Sequence, residues 1–279
     1  MTGDMTIAGV IGLGAMGGPI ARHMVAADLA VYCFDLNREV TARHAVAGAQ
    51  AANTAGEVAA SSSAVFVFVP TDDDVLELCT SELFPAALPD TIVVICSSVR
   101  PETCAAVAAA APPGVTVLDA ALTGGVRGAE QGRINLLVGG SAAALDRIRP
   151  LVAPWSAGIH HLGPLGSGQV AKTVNNLIHW GQISAITEAL RLGEAYGLDV
   201  PTVRRALMDG PTDSRTLREL EQMRFTWWAK DIDNAHQMAE QVGMHLRVAP
   251  VSRTVMATTP ISDVFRLLRI DEPPAAESG

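Results

Sequence analysis

The sequence predicts an α/β protein with a doubly wound parallel sheet, one long inter-domain helix and an all-α C-terminal domain. Two observations predict this architecture. Up to about Gly163, short apolar runs alternate with alanine-rich helical stretches, which is typical of a parallel sheet with crossover helices. From Gln169 to Tyr196 the only strong breakers are two glycines, so we expect a single helix of roughly 28 residues, about 40 Å long.

The length of the chain, 279 residues, allows one large domain or two medium domains with a sizeable core. The change of pattern after Gly163 favours two domains. We predict a first domain over residues 1–165 and a helical second domain over residues 166–279, with the connecting helix at about 168–196.

Six short runs in the first half predict strands. Each is apolar, rich in β-branched residues and unbroken, as expected for strands that are buried on both faces. The runs are "TIAGVIGL", "AVYCFDL", "AVFVFVP", "TIVVICSS", "VTVLDAA" and "INLLVGG". Helices are expected at "GGPIARHMVAA" and "SAAALDRIRPLVAPW".

Composition and charge narrow the classes of partner. The net charge of −9 argues against a nucleic acid or an anionic membrane as partner. No apolar run reaches the roughly 18–20 residues that span a bilayer, and no charged segment precedes an apolar one at the N-terminus. The four cysteines form neither a CxxC pair nor a metal-binding spacing, so we expect free thiols, no metal site and a cytoplasmic location.

A glycine pattern, Gly12-x-Gly14-x-x-Gly17, follows the first predicted strand and opens the first helix. In that context Gly12 permits a tight turn, Gly14 lets the backbone approach a pyrophosphate and Gly17 lets the helix pack against the sheet. The N-terminus of the helix then faces the phosphates. We therefore predict a dinucleotide-binding Rossmann domain whose phosphate loop is formed by Gly12, Leu13, Gly14, Ala15, Met16 and Gly17.

Asp35, at the end of the next strand, favours NAD as the cofactor. An acidic residue there accepts hydrogen bonds from the ribose hydroxyls and repels a 2′-phosphate. Arg38 lies three residues further on and could meet a 2′-phosphate, so NADP remains the less favoured alternative.

A second loop predicts a site for an anion. In "DAALTGGVRGAEQG", Thr123 precedes Gly124 and Gly125 directly after a strand. Successive glycine amides and a hydroxyl are suited to holding a carboxylate, and open α/β sheets bind ligands at the carboxyl ends of their strands. The alternative is a flexible surface loop.

These two loops and two later motifs occur together in one family. The four motifs, in order, are "GLGAMG", "DAALTGGVRGAEQG", "GPLGSGQVAKTVNN" and "AKDIDNA". Over most of its length the chain resembles the β-hydroxyacid dehydrogenases, which include 3-hydroxyisobutyrate dehydrogenase and tartronate semialdehyde reductase, with 6-phosphogluconate dehydrogenase as a relative.

The resemblance implies an NAD(P)-dependent oxidoreductase that transfers a hydride between the nicotinamide and a small anionic β-hydroxy acid or its aldehyde form. It also implies a homodimer or homotetramer built through the helical domain. The roles it implies are Lys172 and Asn176 in catalysis, Thr123, Gly124 and Gly125 around the substrate carboxylate, and Val69, Pro70, Ser98 and Lys230 at the cofactor, with Asp231 supporting Lys230.

The pattern around Lys172 agrees with a catalytic role. On a helix, Lys172, Asn176 and His179 lie within roughly 60° of one another. The neighbours of Lys172 are mostly apolar, and a partly buried lysine exchanges its proton near neutral pH more readily than an exposed one. Such a group can act as general base or acid and can stabilise an alkoxide. We assign His179 to substrate binding, the alternative being a helix histidine satisfied by its neighbours.

Several residues depart from the family pattern and suggest a larger or aromatic substrate. Thr123 stands where serine is usual, and Arg100 is either a surface arginine or a partner for a second anionic group. Lys172 and Lys230 are 58 residues apart (230 − 172), about ten fewer than we expect from the resemblance. We assign Trp227 to the substrate pocket, although it or its neighbour Trp228 could instead pack in the core.

Two other functions remain as alternatives. One is an imine or other carbonyl reductase on the same fold, and the other is a cofactor-binding sensor or scaffold without catalysis. A lysine at position 172 argues against both, because the resemblance places aspartate or tyrosine there in imine reductases and no lysine in non-catalytic proteins.

Overall fold

The structure is a computed structural model that describes residues 7–271. The chain divides into two compact units, one ending at Lys172 and one beginning at Thr173. The predicted boundary after residue 165 lies seven residues before this division.

The first unit contains an eight-stranded sheet in the order β3-β2-β1-β4-β5-β6-β7-β8. The strands are β1 (Ala8–Ile11), β2 (Val31–Phe34), β3 (Gln50–Ala51), β4 (Ala64–Val67), β5 (Ile92–Ile95), β6 (Thr116–Thr123), β7 (Ile134–Gly139) and β8 (Ser156–Gly163). Neighbouring strands are parallel except for β6 and β7.

Helices cover both faces of this sheet. They are α1 (Gly17–Ala26), α2 (Arg38–Val46), α3 (Ala55–Ser61), α4 (Asp72–Leu78), α5 (Phe84–Ala86), α6 (Pro101–Ala110), α7 (Gly125–Glu130) and α8 (Ala142–Val152). Two buried clusters result, one around Ile20, Met24 and Trp155 and the other around Val58 and Leu83. Every residue of β1, β4 and β5 is buried, which confirms the doubly wound arrangement.

The prediction was incomplete at the two edges of the sheet. β7 runs antiparallel to β6, so the sheet is mostly and not wholly parallel. The edge strands β3 and β8 were not predicted. β3 has two exposed residues, and no residue of β8 is fully buried, so neither has the apolar run by which the central strands were recognised.

Residues that lie opposite one another across neighbouring strands form a register row, which shows where the functional loops begin. Ile11, Val67, Ile95 and Asp119 lie opposite one another on β1, β4, β5 and β6, and Asp119 continues the row to Gly139 on β7 and Gly163 on β8. Ile11, Val67 and Ile95 are the last residues of β1, β4 and β5, so the row marks the carboxyl edge of these strands, whereas β6 continues to Thr123. The chain therefore leaves β8 and enters the next helix at the edge where the phosphate loop begins.

That next helix, α9 (Ser167–Ala195), has 29 residues and runs through the division between the units. The sequence predicts it within two residues at each end. The second unit continues with α10 (Val200–Leu207), α11 (Arg215–Arg218), α12 (Trp228–Gln241), α13 (Val248–Ala257) and α14 (Ile261–Leu268). No strand occurs between residues 173 and 271, so the all-helical prediction is confirmed for this described part.

The core of the second unit is formed by α9 and the shorter helices. Trp180, Ile183 and Leu190 of α9 pack in one cluster with Ile232 of α12 and Val264 of α14. Within residues 7–271, no helix is long and apolar enough to cross a membrane.

All four cysteines, Cys33, Cys79, Cys96 and Cys104, are buried free thiols. Burial raises the pKa of Cys33 to about 11 and that of Cys79 to about 12. The thiolate form of both is therefore scarce at neutral pH. In the described range, no group of three His, Cys, Asp or Glu side chains could hold a metal ion.

Candidate active site

The phosphate loop has the close packing that its glycines predict. Gly12 has φ of 84°, and a Cβ there would lie 2.5 Å from the carbonyl oxygen of Phe68. A Cβ on Gly17 would overlap the carbonyl oxygen of Gly12. Gly14 differs, since its Cβ would have no heavy atom within 4 Å among the described residues. Gly14 and Ala15 are exposed at the start of α1, so the backbone at this point is open to a ligand.

Asp35 is attached to that loop by its carboxylate. Leu13 N donates to Asp35 Oδ2 at 2.7 Å, and Asn37 N donates to Oδ1 at 2.8 Å. The side chain lies half-buried directly after β2, where the ribose of a bound dinucleotide is expected. These two bonds fix the position of the negative charge.

The residues predicted to line the cofactor on β4 and β5 lie just past the strand ends. Val69 is half-buried, and Pro70 and Ser98 are exposed. Arg100 forms an ion pair with Asp72, with Nε and Oδ1 3.4 Å apart. Burial acts to raise the pKa of Asp72, but hydrogen bonds from Thr103 and Arg100 and the guanidinium charge hold it below its ordinary value. Arg100 thus has a partner within the protein.

The predicted carboxylate loop follows β6. Thr123 is the last residue of that strand and is half-buried, while Gly124 and Gly125 are exposed. Both glycines have positive φ, 116° and 63°, a backbone conformation that other residues rarely adopt. Ordinary side chains would strain this turn, and the glycines leave its backbone accessible.

A buried carboxylate holds the start of α9. Asp119 is 0% exposed, and it accepts from Gly166 N at 2.6 Å and from Gln169 N at 2.9 Å. A Cβ on Gly168 would come within 2.6 Å of Asp119 Oδ2. Burial raises the pKa of Asp119 above its ordinary value, although the amide hydrogen bonds act in the opposite direction. Gly168 therefore makes room for the backbone of Leu137 and for a carboxylate of the protein itself.

Gln169 connects the same turn to the loop after β5. Its Nε2 donates to the carbonyl oxygen of Ser97 at 2.9 Å, and its Oε1 accepts from Val99 N at 3.2 Å. The residue is 2% exposed. Lys172 lies three residues later on α9 and is half-buried, as its apolar neighbours predict.

On the second unit's part of α9, Asn176 and His179 are both half-buried. Asn175 Nδ2 donates to Asn176 Oδ1 at 3.2 Å. Thr216 of α11 lies 3.4 Å from His179 Nδ1 through its hydroxyl, which also donates to Gln182 Oε1 at 2.7 Å. Thr216 therefore places a hydroxyl beside His179 on α9.

The motif "AKDIDNA", which contains Lys230, begins in the first turn of α12. Lys230 is exposed, while Asp231 is half-buried and accepts from Trp180 Nε1 at 2.9 Å. Trp227 is 62% exposed. A cavity of about 650 Å³ in this unit is lined by Trp228 and not by Trp227, together with Phe225, Thr226 and residues 256–261.

The first unit therefore brings the phosphate loop, Asp35, Ser98, the carboxylate loop and the start of α9 to one edge of the sheet. Asn176, His179, Trp227 and Lys230 belong to the second unit, and their place in a shared site stays a prediction.

Sequence reasoning did not identify Asp119 and Gln169 as structural anchors of the site. One signal was present: Asp119 is a charged residue within the predicted strand "VTVLDAA", and a charge inside a buried strand requires partners.

Comparison with known proteins agrees with the fold of both parts of the chain. Residues 7–163 match the model for the NAD binding domain of 6-phosphogluconate dehydrogenase. Residues 166–262 match the model described as NAD-binding of NADP-dependent 3-hydroxyisobutyrate dehydrogenase.

Individual relatives cover most of the chain. It is 35% identical to 2-(hydroxymethyl)glutarate dehydrogenase of Eubacterium barkeri, over 71% of the chain and 67% of that protein. It is 36% identical to 3-hydroxyisobutyrate dehydrogenase of Pseudomonas aeruginosa, over 73% and 69% respectively. The solved structure of Mycobacterium tuberculosis 3-hydroxyisobutyrate dehydrogenase with L-serine superposes with a TM-score of 0.83 at 26% identity, covering 95% of this chain and 99% of that one.

The chain therefore belongs to the β-hydroxyacid dehydrogenase family. It is an NAD(P)-dependent oxidoreductase of the hydroxyacid dehydrogenase type, and the reductase alternatives, which share the fold, are not favoured.

Proposed function

We propose that the protein transfers a hydride between NAD and a small β-hydroxy acid or its semialdehyde or keto form, with Lys172 as general acid and base. The observation that carries the proposal is the register row at the carboxyl edge of the sheet. It brings the open phosphate loop and the anchored start of the helix bearing Lys172 to one edge.

The residues fit a dinucleotide. The free space at Gly14 accommodates a pyrophosphate against the first turn of α1. NAD is proposed over NADP because the Asp35 carboxylate is held in place by Leu13 N and Asn37 N, and a 2′-phosphate beside it would meet a fixed negative charge. Val69, Pro70, Ser98 and Lys230 complete the proposed cofactor site.

When bound, NAD supplies a hydride acceptor in the direction of alcohol oxidation. Lys172 then takes the hydroxyl proton as the C–H hydride leaves, and in the reverse direction its ammonium returns the proton to the carbonyl oxygen. The positive charge of the ammonium stabilises negative charge on that oxygen. Asn176 orients the hydroxyl, and Thr123, Gly124 and Gly125 hold the carboxylate, so the substrate carbon is presented in one orientation.

The substrate side is proposed to include His179 and Trp227, with room for a larger or aromatic group. A test panel should therefore contain aliphatic and aromatic 3-hydroxy acids.

The experiment measures formation of reduced cofactor by absorbance with NAD or NADP and that panel. We expect turnover with at least one 3-hydroxy acid and a preference for NAD. Lys172→Ala should lower kcat by a factor of about 10²–10⁴, because the proton then has no positioned acceptor. The dissociation constant for NAD should stay near the wild-type value, which serves as the control that the variant is folded. Wild-type turnover by this variant would show that Lys172 is not the general base.

We further propose a homodimer or homotetramer that forms through the helical unit and works in the cytoplasm. Exposed apolar side chains on that unit support self-association, among them Leu192, Tyr196, Val242 and Val248, each more than 60% exposed. The four free thiols fit a reducing compartment. Light scattering of the purified protein tests the oligomer.

A further inference from the structure

Gln169 has an unusual set of partners for a residue in the first turn of a helix. Its side-chain amide bonds to the backbone on both sides of Ser98, accepting from Val99 N at 3.2 Å and donating to Ser97 O at 2.9 Å. Ser98 itself is exposed between these two anchored residues. The segment 97–99 is thereby fixed to α9 by one buried side chain.

The backbone of Gln169 is held from the opposite direction. Its amide donates to Asp119 Oδ2 at 2.9 Å, and Gly166 N donates to Oδ1 of the same carboxylate at 2.6 Å. Asp119 belongs to β6, in register with Ile95 at the end of β5. The first turn of α9 is therefore joined to β6 through its backbone and to the loop after β5 through its side chain.

Lys172 follows on the same helix. With a rise of 1.5 Å and a rotation of about 100° per residue, it lies about 4.5 Å further along the axis and about 60° from Gln169 around it. A rotation or shift of this turn would move the Lys172 side chain with it. The contacts of Gln169 thus set where Lys172 lies with respect to Ser98.

We propose that Gln169 is a positioning residue, which holds the segment 97–99 and the helix bearing Lys172 at the separation that hydride and proton transfer require. The inference rests on the proposed function, in which Ser98 faces the nicotinamide and Lys172 moves the proton. Gln169 need not touch substrate or cofactor for this role.

A matched control exists at the opposite end of the sheet. Ser63 accepts from Ile7 N at 3.1 Å and donates to Ile7 O at 3.1 Å, just before β4 and β1 begin. Like Gln169, it connects two segments of the first unit through a donor and an acceptor. It lies away from the carboxyl edge, so its loss should affect stability alone.

The experiment compares Gln169→Leu, Gln169→Glu and Ser63→Ala in the full-length protein. For each, kcat and KM are measured with the best 3-hydroxy acid of the panel, the dissociation constant for NADH by fluorescence, and Tm by calorimetry. Gln169→Leu removes both side-chain bonds at similar volume. Gln169→Glu keeps the acceptor for Val99 N but places an oxygen against the carbonyl oxygen of Ser97.

We expect kcat of Gln169→Leu to fall about 100-fold, since a displacement near 1 Å at reacting groups costs about that much. KM and the dissociation constant for NADH should change less than about threefold, because the phosphate loop, Asp35 and the carboxylate loop keep their contacts and Ser98 alone among the proposed cofactor residues lies in the released segment. Gln169→Glu should show an intermediate loss of kcat. Ser63→Ala should lower Tm with kcat unchanged.

A Gln169→Leu variant with wild-type kcat and a Tm lowered as in Ser63→Ala would overturn the inference, leaving Gln169 a structural residue only. If Gln169→Leu does not fold, the Glu variant decides by the same criterion. The proposed function fails separately: in that case the wild-type protein oxidises no 3-hydroxy acid, or Lys172→Ala retains full activity.

Discussion

Two glycine-rich loops open helices at the carboxyl edge of the same sheet, and they differ in what occupies the helix start. At α1 the backbone around Gly14 is open, and a Cβ there would have no heavy atom of the described residues within 4 Å. At α9 the amides of Gly166 and Gln169 are already bonded to the buried carboxylate of Asp119. A glycine-rich turn before a helix therefore predicts a phosphate site only where the protein does not supply the anion itself.

The two carboxylates associated with these loops also have different positions. Asp35 accepts from Leu13 N before α1 begins and from Asn37 N, and it lies half-buried directly after β2, where a ribose is expected. Asp119 lies against the first turn of α9 and is fully buried. One loop is thus arranged for a ligand and the other for rigid placement of the residues that follow, including Lys172.

The largest effect is expected from a substitution in the glycine-rich turn at the start of α9. In Gly168→Ala the new methyl group would overlap the carbonyl oxygen of Leu137 and approach Asp119 Oδ2. We expect a loss of more than about 3 kcal/mol in the free energy of unfolding, or failure to fold, measured by urea denaturation. Gly181→Ala is the control on the same helix: its nearest heavy atom would be 3.9 Å away, and helix propensity favours alanine. Equal stability of both variants would contradict the described packing.

Next in size is Asp119→Asn. The amide oxygen can accept from one backbone N–H, but the new NH₂ group faces the other, so a buried donor loses its partner. The expected cost is about 1–3 kcal/mol in urea denaturation. Asp146→Asn, on a 70% exposed carboxylate, is the matched control and should stay within about 0.5 kcal/mol of wild type.

The cost of Asp119→Asn should also depend on pH. Because burial raises the folded-state pKa of Asp119 above its unfolded value, the folded protein holds that proton more tightly. The contribution of Asp119 to stability is then fully present below the unfolded pKa and declines as pH rises through the folded pKa. The difference in the free energy of unfolding between wild type and Asp119→Asn should therefore narrow with rising pH. A difference that widens would mean that the amide hydrogen bonds affect the pKa of Asp119 more than burial does.

A smaller effect is expected from a substitution in the phosphate loop before α1. Gly14→Ala adds a methyl group where no heavy atom of the described residues lies within 4 Å, so Tm should match that of wild type. The methyl group occupies the path of the pyrophosphate, and the dissociation constant for NAD should rise about tenfold, which is about 1.4 kcal/mol. Titration calorimetry measures it. Unchanged affinity would remove Gly14 from the phosphate site.

The smallest effect concerns the choice of cofactor. Asp35→Asn keeps an acceptor for Leu13 N and removes the charge beside the ribose. The ratio of kcat/KM for NADP to that for NAD should increase about tenfold, equivalent to about 1.4 kcal/mol. Asp28→Asn makes the same charge change at the far end of α1 and should leave the ratio unaltered.

Much of the fold was predictable because the central strands are buried on both faces and carry unbroken apolar runs. α9 was predicted within two residues at each end because no breaker interrupts it. β3 and β8 were missed because exposed edge strands lack that pattern. The antiparallel direction of β7 depends on chain connections that an apolar run does not encode.

The candidate site was only partly predictable. The glycines of the phosphate loop are recognisable from local spacing, whereas Lys172 and Asn176 were assigned through the family resemblance and their roles stay predictions. The roles of Asp119 and Gln169 depend on pairing between segments 50 and about 70 residues apart, which single-sequence patterns do not contain. Arg100 had two open interpretations, and its ion pair with Asp72 is likewise a tertiary contact.

The bond between Leu13 N and Asp35 has a consequence for how such an enzyme changes its cofactor during evolution. The carboxylate proposed to select the ribose also accepts a hydrogen bond from Leu13 N in the phosphate loop. A lineage that replaces Asp35 by a residue without an acceptor loses one restraint on its phosphate loop in the same step. Such a replacement needs a second substitution that supplies a new acceptor for Leu13 N, whereas asparagine at this position keeps one.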